Sequence, residues 1–181
     1  MEILDVGILC SGPSFKRFLE TPVKHDGFIG VNQAAEAWAC DWWSWGDAAA
    51  FDRFEPIGRP AIFTGRGSLQ YVRRRERIAE HEWRYYEDCA TPCPSDLDWR
   101  GYSMTAAMVL AETLGARRIV LYGADWCGTG YFSGSGLNPE VNSAYRWGNE
   151  KHHYSRLKGW LASRGVVVER VLAAGFEQAV A

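Results

Sequence analysis

The sequence predicts an α/β fold, a single Rossmann-like domain with a mostly parallel sheet flanked by helices. Three observations predict it. Apolar runs of strand length alternate with segments of helical pattern from one end of the chain to the other. Gly115 and Gly165 stand where helices end just ahead of such runs. Small or polar residues follow the runs at their carboxyl ends, where the crevice of an open parallel sheet lies. A length of 181 residues suits one ordinary domain, read as 1–181.

The elements follow in order. Strands are expected at Ile3 to Cys10, Phe28 to Val31, Trp42 to Trp45, Ala61 to Phe63, Arg118 to Tyr122, and around Val166 to Val168. Ser68 is placed to cap a helix running from Leu69 to about Tyr86, whose Arg73, Arg74, Arg75 and Arg77 form one basic segment that a solvated face explains. Ser103 to Leu114 reads as a helix with Ser103 as its cap and Gly115 as its stop. Asp88 to Gly101, with Pro92 and Pro94, and the glycine-rich Gly123 to Pro139 read as loops, the kind of segment that serves as a lid or binding loop.

Composition narrows the function. Hydrophobic residues at 47% and charged residues at 23% exclude a disordered or fibrous chain. A formal net charge of −2 supplies no global basic field for nucleic acid or an anionic membrane, and no apolar run reaches the length of a membrane span. Without a basic segment ahead of the first apolar run, the chain reads as cytoplasmic, and its five cysteines fit a reducing compartment. Cys89 and Cys93, with His81 upstream, are spaced as half of a zinc site, but no second half follows. The nine tryptophans, dense at Trp38, Trp42, Trp43 and Trp45, serve either as packing residues or as a stacking platform for a base or sugar ring; packing is the simpler account. Assembly with a second copy of the chain is compatible with the sequence.

The residues just after the strands form a coherent polar set: Ser11-Gly12-Pro13-Ser14, Asn32-Gln33, Gly46-Asp47, Thr64-Gly65-Arg66, and Gly123 with Asp125. Turn chemistry explains the glycines and Pro13, but not the amides and aspartates. A strand entering a small-residue turn that opens a helix offers backbone N–H groups and a positive dipole end to a phosphate. The turn is neither a Walker loop nor Gly-x-Gly-x-x-Gly.

Taken together, the strand ending in Ser11-Gly12-Pro13-Ser14, the segment Val31-Asn32-Gln33, and the helix leading through Leu114-Gly115-Ala116 to Leu121-Tyr122-Gly123-Ala124-Asp125-Trp126 resemble the bacterial sialyltransferases of glycosyltransferase family 42. They also resemble the 6-hydroxymethylpterin diphosphokinase MptE-like proteins, which share the Gly-Pro-Ser turn. The first resemblance implies a metal-independent, nucleotide-sugar-dependent transferase, with the donor nucleotide held by Ser11, Gly12, Pro13, Ser14, Asn32 and Gln33. It also places Ser103 and Thr105 near the donor, although Ala106 stands where that family has Gly, and Gly123 and Asp125 complete the nucleotide set. The family's catalytic base, a His ahead of its last long helix, corresponds to His152 or His153.

An imidazole titrating near neutrality suits removal of a proton from an acceptor hydroxyl. Adjacent side chains diverge, so only one of the pair is expected in the crevice. The second resemblance implies diphosphate transfer from ATP, with Mg²⁺ held by Asp47, Asp125 or the Asp96-Leu97-Asp98 pair. A non-catalytic nucleotide-binding, phage-type accessory protein that keeps only the turn is the third expectation.

Overall fold

The computed structural model describes residues 5–89, 93, 97–126 and 144–172, without the side chains of 144–146. The strands are β1 (Asp5–Leu9), β2 (Gly27–Val31), β3 (Trp42–Ser44), β4 (Ala61–Thr64), β5 (Trp83–Tyr85), β6 (Arg118–Tyr122) and β7 (Val167–Val171). They form one seven-stranded sheet, ordered β5-β4-β3-β2-β1-β6-β7, in which every neighbouring pair is parallel. The helices are α1 (Phe15–Glu20), α2 (Ala48–Arg53), α3 (Arg66–Leu69), α4 (Ser103–Thr113) and α5 (Ala144–Ser163). This is the Rossmann-like α/β architecture that the sequence predicts. Winding proceeds outward from β1 to β5, returns through α4, and resumes at β6 on the other side of β1. The reversal between β1 and β6 is the switch point at which sheets of this kind open a ligand crevice.

Alternation along each strand sorts the core into two faces. Val6, Ile8, Ile29, Ile119 and Leu121 pack with α4 and with Leu157 and Leu161 of α5. Leu9, Val120 and Tyr122 face the other way, onto Phe15 and Phe18 of α1. Farther along the sheet Trp43, Trp45 and Ile62 pack on Phe51 of α2. Trp43 and Trp45 are fully buried, so these two tryptophans are packing residues and not a ligand platform. In α4 every residue from Met104 to Ala111 is buried, as a helix that is apolar all round requires. It closes with Gly115 at φ 92°, whose N–H donates to Glu112 O while Ala116 N–H donates to Ala111 O, the paired bonds of a Schellman stop. Gly165 repeats the same two bonds at the end of α5, with Gly165 donating to Ala162 and Val166 to Leu161.

One expected element does not form. In place of a helix over Leu69 to Tyr86 the chain makes the short α3, a 3-10 turn over Arg75–Glu80, and the edge strand β5. Tertiary contacts override the helical pattern here. The Asp52 carboxylate takes the backbone N–H groups of Arg73 and Arg74 at 3.0 and 2.9 Å. The Arg77 guanidinium is buried and donates to the carbonyls of Phe51 and Phe54. Ser68 lies inside α3, and its hydroxyl donates to Gly46 O rather than capping. The basic segment therefore divides: Arg77 is a core anchor, while Arg74 pairs with Glu55 and Glu76 at the surface. Ile3 and Cys127 lie outside the described residues, as does most of the Gly123 to Pro139 loop.

The loops after β1 and β6 clasp each other at the switch point. Gly12 N–H donates to Gly123 O at 2.9 Å, Ser14 N–H to Asp125 Oδ2 at 2.7 Å, and Gly123 N–H to Ser14 Oγ at 3.1 Å. A Cβ on Gly12 would press into the Gly123 carbonyl and come within 2.6 Å of Asp125 Oδ2. Gly123 has φ +73°, and a Cβ there would strike the Cys10 carbonyl. Gly123→Ala is therefore expected to cost about 3 kcal/mol or more by urea denaturation, combining left-handed strain with a backbone clash. Gly58→Ala, at a similar φ of +77° but with nothing within 4 Å, is expected to cost only about 1 kcal/mol. Equal losses at the two positions would remove the clasp as the reason for Gly123.

Candidate functional site

A cleft of about 530 Å³ opens over the carboxyl ends of β1, β2, β3 and β6, within the range of small-molecule sites. Of the residues proposed from sequence, Ser11, Gly12, Pro13, Asn32, Gln33, Ser103, Gly123 and Asp125 line it. Four of the short segments named from sequence thus meet at one place.

Their roles differ in detail from those expected. The N–H groups at the turn after β1 are already donated, Gly12 to Gly123, Ser14 to Asp125 and Phe15 to the Gly12 carbonyl. The turn is consequently held by the protein itself and does not present these donors to a phosphate. Ser14 is buried beneath the turn, bonded to Gly123 and Asp125, and is absent from the cleft lining.

Asn32 sits at φ 50°, a left-handed conformation that asparagine tolerates better than most residues. Two contacts fix it: its carbonyl accepts from the Trp43 indole at 2.9 Å, and its Oδ1 accepts from Ser103 Oγ at 3.4 Å. Ser103 is the first residue of α4 and not its cap, a position that Tyr102 holds without a side-chain bond. The Ser103 hydroxyl also accepts from Gly46 N–H at 3.0 Å, and its carbonyl accepts from Ser44 Oγ at 3.1 Å, so it ties α4 to the ends of β2 and β3. Thr105, by contrast, is fully buried with its hydroxyl on the carbonyls of Trp99 and Tyr102, one helical step away from the cleft lining.

Neither histidine of the expected base lines the cleft. Both lie well inside α5 and not at its start, because that helix begins at Ala144. His152 is exposed. His153 is half-buried with its Nδ1 unpartnered among the described residues, and its ring lies 5.7 Å, between centroids, from that of the cleft residue Tyr102.

Several lining residues were not signalled by the sequence. Arg53 at the end of α2 and Arg100 just before α4 stand exposed at the mouth, and neither has an acidic partner among the described residues. Each guanidinium instead lies over a neighbouring ring, Phe54 and Trp99 respectively. Trp126, Trp147, Asp125 and Glu150 also line the cleft. Trp126 has φ 50° and is sandwiched between Tyr154, with centroids 4.8 Å apart, and the Arg170 guanidinium at 4.4 Å. Asp125 is buried, and its Oδ1 has no hydrogen-bond partner. At the end of β1, burial, reinforced by the negative charges of Glu150 and then Asp125, holds the Cys10 thiol well above its ordinary range.

Of the metal candidates, Asp47 and Asp125 share the cleft and the others lie elsewhere or outside the described residues. Cys89 is buried in the core cluster with Leu97 and Trp99, and His81 bonds through Nδ1 to the Pro60 carbonyl. Asp47 caps α2, accepting from Ala49 N–H at 2.9 Å, while also lining the cleft. Asp98 is exposed, and Asp96 lies outside the described residues. Among the described residues no group of three or more His, Cys, Asp or Glu is gathered to hold a metal ion. Nor is any helix among them long and apolar enough to cross a membrane.

No family model matches the sequence, and no curated protein does. A solved structure of similar fold is the sialyltransferase CstII from Campylobacter jejuni, in complex with the substrate analogue CMP-3FNeuAc. The two chains are 13% identical and superpose with a TM-score of 0.58 over 93% of this chain and 81% of that one. The likeness is one of fold: this chain shares its α/β architecture with that protein.

Proposed function

We propose that the protein is a nucleotide-sugar-dependent transferase whose donor lies in the cleft at the β1/β6 switch point. One observation carries the reading: two arginines with no acidic partner among the described residues, Arg53 and Arg100, line a cleft of nucleotide-sugar size at the carboxyl edge of a parallel sheet. Unneutralised guanidinium groups at the mouth of a pocket suit an anionic ligand, and a planar fork suits phosphate. The donor phosphate is accordingly assigned to Arg53 and Arg100 and not to the N–H groups of the Ser11 to Ser14 turn. Asn32, Gln33 and Ser103 supply amide and hydroxyl groups for the nucleoside, while Asp125 offers its unpartnered oxygen to a ligand hydroxyl. The fold shared with a sialyltransferase bound to a CMP-sugar analogue supports the same class of donor.

The carboxylates of Asp47 and Asp125 on one cleft favour a second reading, diphosphate transfer from ATP with Mg²⁺. A dependence on Mg²⁺ separates that chemistry from the metal-independent transfer of a sugar. Binding without turnover leaves a nucleotide-binding module.

A thermal-shift screen of CMP, UMP, GMP, ATP and their sugar conjugates, with and without Mg²⁺, tests the reading. A nucleotide at 100 times its dissociation constant is expected to stabilise the fold by about 2.7 kcal/mol. Arg53→Ala and Arg100→Ala should each weaken that binding by about 1.5 to 3 kcal/mol, the worth of a charge-assisted hydrogen bond. If every nucleotide leaves the melting temperature unchanged, the donor site is wrong.

Asn32 gives a finer test, because its backbone and its amide are separable. Asn32→Gly keeps the left-handed conformation and removes the side chain, so affinity should fall by about 1 to 3 kcal/mol. Asn32→Ala should lose about 1 kcal/mol of fold stability in addition, from strain. Unchanged nucleotide affinity in Asn32→Gly, measured by calorimetry, takes the amide out of the site.

A further inference from the structure

The inward stripe of α5 runs from the cleft into the core. Trp147 and Glu150 line the cleft, and Tyr154, Leu157 and Leu161 continue the same spacing as buried residues. Among the described side chains of α5, Glu150 is therefore the titratable one in the cleft lining, whereas His152 faces solvent and His153 rests on Tyr102. The other acid–base groups of the lining have different work. Asp47 caps α2 at the exposed rim. Asp125 is buried, with one oxygen committed to Ser14 N–H in the loop clasp and the other unpartnered. Cys10 is a buried thiol whose ionisation is opposed by burial first and then by the nearby charges of Glu150 and Asp125.

We infer that Glu150, and neither histidine, is the proton acceptor of the transfer, a role that rests on the donor site proposed above. The acceptor O–H bond breaks and its proton passes to the Glu150 carboxylate. The freed oxygen electron pair forms the new bond to the glycosyl carbon. The bond from that carbon to the donor phosphate oxygen breaks, and its electron pair leaves with the nucleotide. Asp125, holding a ligand hydroxyl on its second oxygen, positions the donor for the step.

The test compares wild type, Glu150→Gln, Glu150→Asp and His153→Gln by nucleotide-induced thermal shift and by release of nucleotide from CMP-, UDP- and GDP-sugars with water as acceptor. Glu150→Gln is expected to keep the wild-type thermal shift and to release nucleotide about 10² to 10⁴ times more slowly. Glu150→Asp, which retains the carboxylate, should keep part of the rate and replaces the Gln variant if that fails to fold. His153→Gln should stay within about threefold of wild type, as expected for a residue outside the reacting groups. A Glu150→Gln rate close to wild type, or an equal loss in His153→Gln, overturns Glu150 as the base and leaves the donor site standing. A wild type that binds nucleotide but consumes no donor does the same. A wild type that no nucleotide stabilises overturns the donor site itself, and this role with it.

Discussion

The geometry of the cleft depends on one constraint, the backbone clasp between the loops that leave β1 and β6. A doubly wound sheet separates its loops to opposite faces at the switch point, and a gap opens there unless something limits it. Here the limit is set by Gly12 on Gly123 and by the Asp125 carboxylate on the Ser14 amide. Both glycines are required by contact with the opposite backbone. Asp125 thereby serves two ends, one oxygen closing the clasp and the other left without a partner on the cleft wall. A buried carboxylate oxygen without a donor is costly, so the clasp fixes in place an acceptor that gains from a ligand's hydroxyl.

A second set of bonds fixes the other side of the cleft. Ser103 joins the first turn of α4 to Gly46, Ser44 and Asn32, and the Trp43 indole holds Asn32 in its left-handed conformation. The buried tryptophan of β3 is thus connected through one carbonyl to a polar residue of the site. The core and the cleft wall are coupled at that carbonyl.

Much of this was legible in the sequence, for identifiable reasons. A parallel strand buried on both faces is written as a short apolar run, and Gly115 and Gly165 mark helix ends because their positive φ admits little else. Strand ends then locate the crevice, which is why Asn32, Gln33 and Asp125 could be named from order alone. The region from Leu69 to Tyr86 was not legible, because its helical pattern is overridden by Asp52 and by the carbonyls that draw in Arg77, contacts some twenty residues away in the chain. Arg53, Arg100 and Glu150 were missed for a related reason: a charged residue on a helix or beside a proline-rich loop looks the same whether it meets water or a cleft. The histidine pair drew attention by residue type, whereas the helical phase of α5 turns Glu150 inward instead.

The wiring of the sheet also governs when the site comes into being. The Ser14 to Asp125 bond joins residues 111 apart, and β1 pairs with β6 only after four strands and α4 have been threaded between them. Contacts of such long range carry the full entropy of loop closure and form slowly. A nascent chain emerging from the ribosome holds β1 through β4 long before β6 exists, so its first strand waits with one edge unpaired. The pocket is therefore a late product of folding, and any lesion that delays β6 exposes that edge to other chains.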